Sequence, residues 1–410
     1  MNYICDVITD FVASGSFADL KDNVQYLDEP DFAMLVRTAD LSKKGDLPPV
    51  FVSKKSYDFL SNSNLFGGEI VLPNIGSVGD AYLVPFDLYE NMTLAPNSIM
   101  VKTSFNQFFY YFFLSKCGYE ALINISQGTT QSKFNKTQLR ALKAIVPPIA
   151  EQEAIASYLD KKCSSIDKLI ATQEKRIALL GELKQSIITE AVTRGLNPDA
   201  PLKDSGIDWI GKIPKHWEAT PLKFTGLFGN GLTYSPDDVV ENDGVLVLRS
   251  SNIQDDMLDL NDTIYVKSSP DFLMVLPGDI IICSRNGSAS LVGKCAFVNE
   301  PINATFGAFM MRYRPYEDKK YGYYLLQAAL KMYKGLYSTT TINQLTMGVI
   351  AQIHVAMPPI AEQKLIADYL DAKCARIDKS ITKAKREVEL LREYKQTIIT
   401  EAVTGKIKVC

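Results

Sequence analysis

The stretch QSIITEAVT, Gln185 to Thr193, returns as QTIITEAVT, Gln396 to Thr404, an offset of 396 − 185 = 211 positions. The match extends upstream at that offset. PPIAEQ at Pro147 to Gln152 recurs at Pro358 to Gln363, Tyr158-Leu159-Asp160 recurs as Tyr369-Leu370-Asp371, and Ile166-Asp167-Lys168 as Ile377-Asp378-Lys379. Counted without a gap, 29 of the 47 positions from Pro147 to Thr193 are identical to their copies. Shared periodicity would keep apolar class but not Glu-Gln or Lys-Gln pairs, so the echo is read as a duplication.

The repeated segment reads as one long helix. Ile155, Leu159, Cys163, Ile166, Ile170, Ile177, Leu180, Ile187 and Ala191 recur at steps of three and four or their sums, and Ile366, Leu370, Cys374, Ile377, Ile381, Ala384, Val388, Leu391, Ile398 and Ala402 keep the rhythm. That is a heptad seam interrupted by Gln173, Lys184 and Lys395. The paired prolines suit a helix start, and Gly195 followed by Pro198 suits a stop. Each helix is expected to run about 45 residues, on the order of 65 Å. Its apolar stripe needs a partner, and the copy is the obvious one, in an antiparallel pair; the alternative is packing on the neighbouring globular part alone.

Between the helices lie segments of another kind, residues 1–146 and 197–357, with 147–196 and 358–410 as the helical parts. Both are rich in glycine, aromatic and β-branched residues, with short runs such as Met34-Leu35-Val36 and Val245-Leu246-Val247-Leu248 that read as strands. They share landmarks. Val36-Arg37-Thr38-Ala39-Asp40-Leu41 parallels Leu248-Arg249-Ser250-Ser251-Asn252-Ile253, and Gly68-Glu69-Ile70-Val71 with Gly76-Ser77 parallels Gly278-Asp279-Ile280-Ile281 with Gly287-Ser288. Gly128-Thr129-Thr130 and Thr339-Thr340-Thr341 stand at matching distances before the helices. The helices therefore do one job twice, and the globular parts do similar jobs on different targets.

Composition narrows the classes. The seven cysteines stand apart with no C-x-x-C pair, and only His216 and His354 could join them, which argues against a zinc site or disulfide framework and for a reducing cytoplasm. MNYICDVITDF lacks the pattern of a signal peptide, and FFYYFFL at Phe108 to Leu114 is too short to span a bilayer and reads as a buried helix. The net charge of −3 does not decide for or against nucleic acid, because basic residues can gather on one face.

Two variable globular segments, each followed by a PPIAEQ-type helix ending in IITEAVT, with SGIDWIGKIPKHWE (Ser205 to Glu218) opening the second, resemble the specificity subunit of a Type I restriction-modification system across the whole chain. The resemblance implies an α+β chain: two mixed α/β target recognition domains, separated by two long antiparallel coiled-coil helices in an internal pseudo-twofold repeat. It implies that each domain reads one half of a bipartite, gapped double-stranded DNA target. It further implies that the helices act as spacer and docking surface for two modification (methyltransferase) subunits. Catalysis and cofactors are then expected on partners: S-adenosylmethionine on the modification subunits, ATP and Mg on the restriction subunits, and none in this chain. One departure is that nothing before the first domain corresponds to Trp209-Ile210-Gly211. Insertion of one helical turn near Leu180-Gly181-Glu182 is expected to lengthen a helical spacer by roughly 5 to 6 Å and so to change the gap in the target.

Candidate DNA contacts follow from the paired landmarks. Arg285, Asn286 and Ser288 after a strand-like run offer a bidentate guanine reader beside an amide suited to adenine, with Asn74 and Ser77 in the corresponding loop. The rival reading is a hairpin turn with an exposed arginine. Arg37, Thr38, Arg249 and Ser250 are candidates for phosphate contact, against a structural salt bridge, and Asn252 in the same landmark is a candidate DNA contact. Thr129, Thr130, Lys133 and Asn135, with Thr340, Asn343 and Gln344, are polar enough for phosphate or base contact at the domain–helix junctions, against helix caps. Lys175-Arg176 and Lys383, Lys385 and Arg386 suit solvated faces. The three Pro-Pro pairs are not followed by an aromatic residue as an amino-methyltransferase loop requires, and no Gly-Lys-Ser/Thr phosphate loop occurs. The rival functions are a coiled-coil scaffold that binds proteins and a nuclease or fused methyltransferase.

Overall fold

The computed structural model describes residue 1 and residues 4–42, 47–128, 132–337 and 344–409. The chain divides into two compact units, Met1–Lys175 with Lys385–Cys410, and Arg176–Ala384, so each unit combines one globular part with portions of both long helices.

In the first unit, strands β1 (Cys5–Asp10), β2 (Tyr26–Leu27), β3 (Ala33–Val36), β4 (Phe51–Val52), β5 (Asn64–Leu65), β6 (Ile70–Pro73), β7 (Tyr82–Leu83), β8 (Met92–Leu94) and β9 (Ser98–Thr103) form two sheets. Their orders are β1-β9-β6-β7 and β2-β4-β3-β8-β5, the first wholly antiparallel and the second holding one parallel pair, β3 with β8. Helices α1 (Phe17–Asn23), α2 (Thr38–Ser42) and α3 (Lys54–Phe59) fill connections, and α4 (Asn106–Leu114), α5 (Lys116–Ile125) and α6 (Lys136–Ala141) follow the last strand. Helix α4 is the FFYYFFL run, and Phe108, Phe109, Phe112 and Phe113 are buried in it as expected.

After the long helix α7 (Ile149–Arg194) come β10 (Leu202–Asp204), β11 (Lys212–Pro214) and β12 (Glu218–Pro221), which have no counterparts among the described residues of the first unit. The second unit continues with β13 (Gly226–Asn230), β14 (Val239–Val240), β15 (Val245–Leu248), β16 (Ile253–Gln254), β17 (Met257–Leu258), β18 (Tyr265–Val266), β19 (Ile280–Cys283), β20 (Cys295–Phe297), β21 (Ala304–Phe306) and β22 (Met310–Pro315). Helices α8 (Lys319–Tyr337) and α9 (Met347–Ala351), strand β23 (His354–Met357) and the long helix α10 (Ile360–Val403) complete the chain. The sheet orders β13-β22-β19-β20 and β14-β18-β15-β21, with β15 parallel to β21, repeat those of the first unit strand for strand except for β5.

The central strands are buried on both faces, which is why β6 and β19 read as unbroken apolar runs. Alternate residues serve two cores. Ile280 and Ile282 join the helical cluster, while Ile281 and Cys283 face the cluster under the second sheet; Ile70 and Leu72 against Val71 do the same in the first unit.

The echoed motifs acquire physical roles. Gln152 Nε2 donates to the Pro147 carbonyl at 2.8 Å and Gln363 Nε2 to Pro358 at 2.9 Å, so the glutamine of PPIAEQ folds back over the helix start. Tyr111 Oη donates to Asp160 at 2.7 Å and Tyr324 Oη to Asp371 at 2.6 Å, so the aspartate of Tyr-Leu-Asp ties each helix to its globular part. Within the first unit Lys395 pairs with Asp167 at 2.7 Å and Arg392 with Glu174 at 2.8 Å; position rises on α7 as it falls on α10, so the helices run antiparallel. Within the second unit Lys184 pairs with Asp378 at 2.9 Å, the same Asp and Lys positions with the copies exchanged. The helices pack on each other and on the globular parts at once. Ile155, Leu159, Cys163 and Ile166 share a core with Ile398, Ile399, Ala402 and Val403 and with the α4 phenylalanines, and Ile188, Ala191 and Val192 share another with Ile366, Leu370, Cys374 and Trp217. Gly195, with φ of +73°, ends α7 in the left-handed conformation expected of a glycine stop.

Candidate nucleic-acid interface

Hydrogen bonds fix how the two units correspond at the loops leaving β6 and β19. The Asn74 N–H donates to the Asn97 carbonyl at 3.1 Å, as the Ser284 N–H donates to Phe309 at 3.0 Å. The Phe134 N–H donates to Asn74 at 3.1 Å, as Leu345 donates to Ser284 at 2.7 Å. Bridges then join Ile75 to Lys133 and Arg285 to Gln344. Arg285 therefore stands where the first unit has Ile75, Asn286 where it has Gly76, Phe309 where it has Asn97, and Gln344 where it has Lys133. Aligning the loops on their glycines had set Asn74 opposite Arg285, one position out of register. Backbone pairing decides the register here because a strand position cannot slip without turning every side chain to the other face.

In the second unit the loop carries a built polar arrangement. Arg285 is exposed, its guanidinium lies 5.3 Å from the centre of the Phe309 ring, and it has no carboxylate partner among the described residues. Asn286 Nδ2 donates to Ser250 Oγ at 3.1 Å while Asn286 Oδ1 accepts from the Ser288 N–H at 3.0 Å. The Ser288 and Ser290 hydroxyls pair at 2.8 Å. Gln344 is exposed beside Arg285. Next to them is a groove of about 810 Å³ lined by Tyr234, Val239, Arg249, Ser250 and Phe309 among others. The sequence expectation thus brings Arg285, Asn286, Ser288, Ser250 and Gln344 to one place. It missed Phe309, which sits in the turn between β21 and β22 and has no signature in spacing.

The first unit holds a corresponding groove of about 480 Å³ lined by Val12, Phe17, Tyr26, Asn74 and Asn97 among others. Asn74 Nδ2 donates to the Phe134 carbonyl at 3.1 Å, and its buried Oδ1 has no partner. Ser77 and Lys133 are exposed. Asn135 is a helix cap: it accepts from the Gln138 N–H at 3.0 Å and Gln138 returns the bond at 2.9 Å. Thr129, Thr130, Thr340 and Asn343 lie outside the described residues.

The other landmark pair is structural. Arg37 grips Asp40 through Nε at 3.0 Å and Nη2 at 2.6 Å and also donates to the Pro48 carbonyl at 2.8 Å; the bond to Asp40 raises its already high pKa despite partial burial. Thr38 opens α2 and is half-buried. Arg249 pairs with Asp262 at 2.8 Å, which holds that carboxyl below its ordinary range. Asn252 is corrected from a contact residue to an internal bracket. It is fully buried, accepts from the Arg249 N–H at 2.9 Å and donates to the Asp259 and Asp262 carbonyls at 2.9 and 2.7 Å. The shared Arg-Thr/Ser pattern therefore marks a turn that both units need.

Among the described residues no group of three or more His, Cys, Asp and Glu side chains is placed to hold a metal ion, and no helix is long and apolar enough to cross a membrane.

Two domains of one topology, with like helices and unlike loop chemistry, define a duplicated recognition protein. The family model described as "Type I restriction modification DNA specificity domain" matches residues 10–179 and 230–390, and the chain belongs to that family. It is similar to the Type I restriction enzyme EcoKI specificity subunit of Escherichia coli (strain K12), 28% identical over 206 residues, 48% of this chain and 44% of that protein. It is also similar to the Type I restriction enzyme MjaVIII specificity subunit of Methanocaldococcus jannaschii, 27% identical over 313 residues, 73% of this chain and 70% of that protein. The match thus spans less than half the length of the first relative. A solved chain from work on complex assembly and conformational transition of the type I R-M system has the same fold, with a TM-score of 0.69 at 16% identity, covering 99% of this chain and 97% of that one. Membership of a DNA specificity family disfavours the scaffold reading.

Proposed function

We propose that this chain is the non-catalytic specificity subunit of a Type I restriction-modification system, reading a bipartite, gapped duplex DNA target in the cytoplasm. Each globular part reads one half, and adenine methylation and cleavage are carried out by partners: modification subunits with S-adenosylmethionine, and restriction subunits with ATP and Mg. The observation that carries the reading is that one scaffold is used twice with different chemistry at the same register: Ile75, Gly76, Asn97 and Lys133 in one unit, Arg285, Asn286, Phe309 and Gln344 in the other. Direct readout in the major groove depends on donor and acceptor placement, so changing those side chains on a constant frame changes the sequence read. Docking of two modification subunits on the long helices is supported by matched apolar pairs left exposed, Leu179 and Leu183 on α7 and Leu390 and Tyr394 on α10, 47 to 54% exposed.

The test is single-molecule methylation sequencing of cells carrying the modification subunit, with and without this chain. A gapped two-part motif that appears only with the chain, and of which exchange of residues 1–146 alters one half, is expected. Assembly of the subunits with no new motif would overturn the reading.

A further inference from the structure

Backbone hydrogen bonding makes Ile75, Gly76, Asn97 and Lys133 of the first unit equivalent to Arg285, Asn286, Phe309 and Gln344 of the second. The second set holds a planar guanidinium fork and the first does not. The cation of the first set, Lys133, is a point charge on a flexible stem.

Asn97 is exposed in the turn between β8 and β9, at a φ of +65° that asparagine tolerates. Its carbonyl accepts from the Asn74 N–H at 3.1 Å, which ties the turn to the start of the loop leaving β6, while its side-chain amide makes no hydrogen bond among the described residues. Asn74 differs, since its Nδ2 is committed to the Phe134 carbonyl at 3.1 Å. Ile75 is half-buried and lines, with Asn97, the groove of about 480 Å³. Other walls of that groove are apolar and open to solvent: Val12, Phe17 and Tyr26 are 41, 84 and 54% exposed.

An amide with a donor and an acceptor side by side matches adenine, whose major-groove edge shows the N7 acceptor beside the N6 donor. An apolar side chain in an apolar groove matches the C5 methyl group of thymine, the apolar group on those edges. Guanine shows two acceptors there, which suits the fork of Arg285 and neither Asn97 nor Ile75. On the function proposed above, we propose that the first unit reads A·T base pairs in the major groove. Asn97 takes the adenine edge, donating from Nδ2 to N7 and accepting at Oδ1 from N6. Ile75 seats a thymine methyl group. The two units thus differ in the class of base their matched positions take, with guanine assigned to Arg285.

Base analogues that delete one group at a time test this. The target is first found by methylation sequencing, and the half-site of the first unit is the half that exchange of residues 1–146 alters. The complex assembled with its modification subunit is then competed with duplexes in which each thymine of that half is replaced in turn by uracil, which lacks the methyl group, and each adenine by 7-deazaadenine, which lacks the N7 acceptor. For the unaltered chain, uracil at one position is expected to weaken binding about fourfold. One 7-deazaadenine is expected to weaken it about fivefold or more. Ile75→Ala is expected to abolish the uracil penalty at one position, and Asn97→Gly, which suits the positive φ, the deazaadenine penalty at one position. Each variant leaves the cost of the other analogue and the second half-site unchanged. Asn97→Asp keeps the side-chain size but has no N–H to donate to N7, and is expected to match Asn97→Gly in this assay. The inference is overturned if either Ile75→Ala or Asn97→Gly leaves every penalty as it was, if no analogue weakens binding of the unaltered chain, or if Asn97→Gly relaxes a G·C pair. In each of those cases sequence-specific binding by the complex leaves the specificity-subunit reading standing. Absence of any sequence-specific binding removes both.

Discussion

Replacing Arg285 with alanine separates base reading from the other uses of an exposed arginine. Its guanidinium rests on Phe309 at 5.3 Å and has no carboxylate partner among the described residues, so the folded protein loses only a cation–π contact of about 0.5–1 kcal/mol. In a unit of this size that lowers the melting temperature by roughly 1 to 4 °C. A bidentate arginine–guanine contact is worth about 1–3 kcal/mol of discrimination, a loss of roughly 5- to 150-fold. The assay is competition binding by the complex assembled with its modification subunit, against duplexes substituted one base pair at a time, at two salt concentrations. Arg285→Ala is expected to relax discrimination at one base pair in one half-site and to leave the other half unchanged. Arg285→Lys keeps the charge but not the planar fork, and is expected to recover little of the discrimination. A uniform loss on every duplex, with the salt slope reduced by about one, would show a phosphate contact, and unchanged binding would leave Arg285 a turn residue.

Asn252→Ala has the opposite profile. It strips partners from buried backbone groups, so a loss of about 2–3 kcal/mol and a melting temperature lower by roughly 4 to 12 °C are expected in calorimetry, with the base preference of the folded fraction unchanged. Trp217→Ala empties a fully buried indole site and is expected to cost about 3–5 kcal/mol in denaturant unfolding. The Lys184–Asp378 and Lys395–Asp167 pairs are partly exposed, so double-mutant cycles are expected to give coupling of about 0.5–1 kcal/mol each; exchanging the charges within the Lys395–Asp167 pair is expected to restore most of it, whereas at Lys184 the exchange sets a carboxylate against Asp256, 3.7 Å from Lys184, and is not. Asp256 has its pKa raised by burial, against the pull of Lys184, and sits at φ of +63°. A carboxyl whose folded pKa lies above its unfolded value opposes folding when ionised, and that penalty fades as pH falls through the folded pKa. Asp256→Asn is therefore expected to raise the melting temperature at pH 7 and to raise it less at pH 4; a gain independent of pH would assign the effect to the left-handed backbone, which asparagine tolerates, and not to charge.

What could be read in the sequence was whatever both copies needed in the same form. Gln152 and Gln363 over the prolines, Asp160 and Asp371 on the tyrosines, and the exchanged Asp–Lys pairs are contacts made once in each unit, so each side chain was held in both copies. The run Ala171 to Ala178 against Thr382 to Glu389 has no identity at all and carries none of these paired contacts. The same logic misled at the loops. Arg37 and Arg249, with Asp40 and Asn252, resemble one another because both units need the same turn, so similarity there marks structure and points away from the proposed reader. The proposed reader is where the copies differ, as Ile75 differs from Arg285 and Asn97 from Phe309, and a difference carries no sign of its own until backbone hydrogen bonds say which positions correspond. In a duplicated recognition protein the frame is found by matching the halves, and the specificity by asking which matched positions on an exposed edge fail to agree.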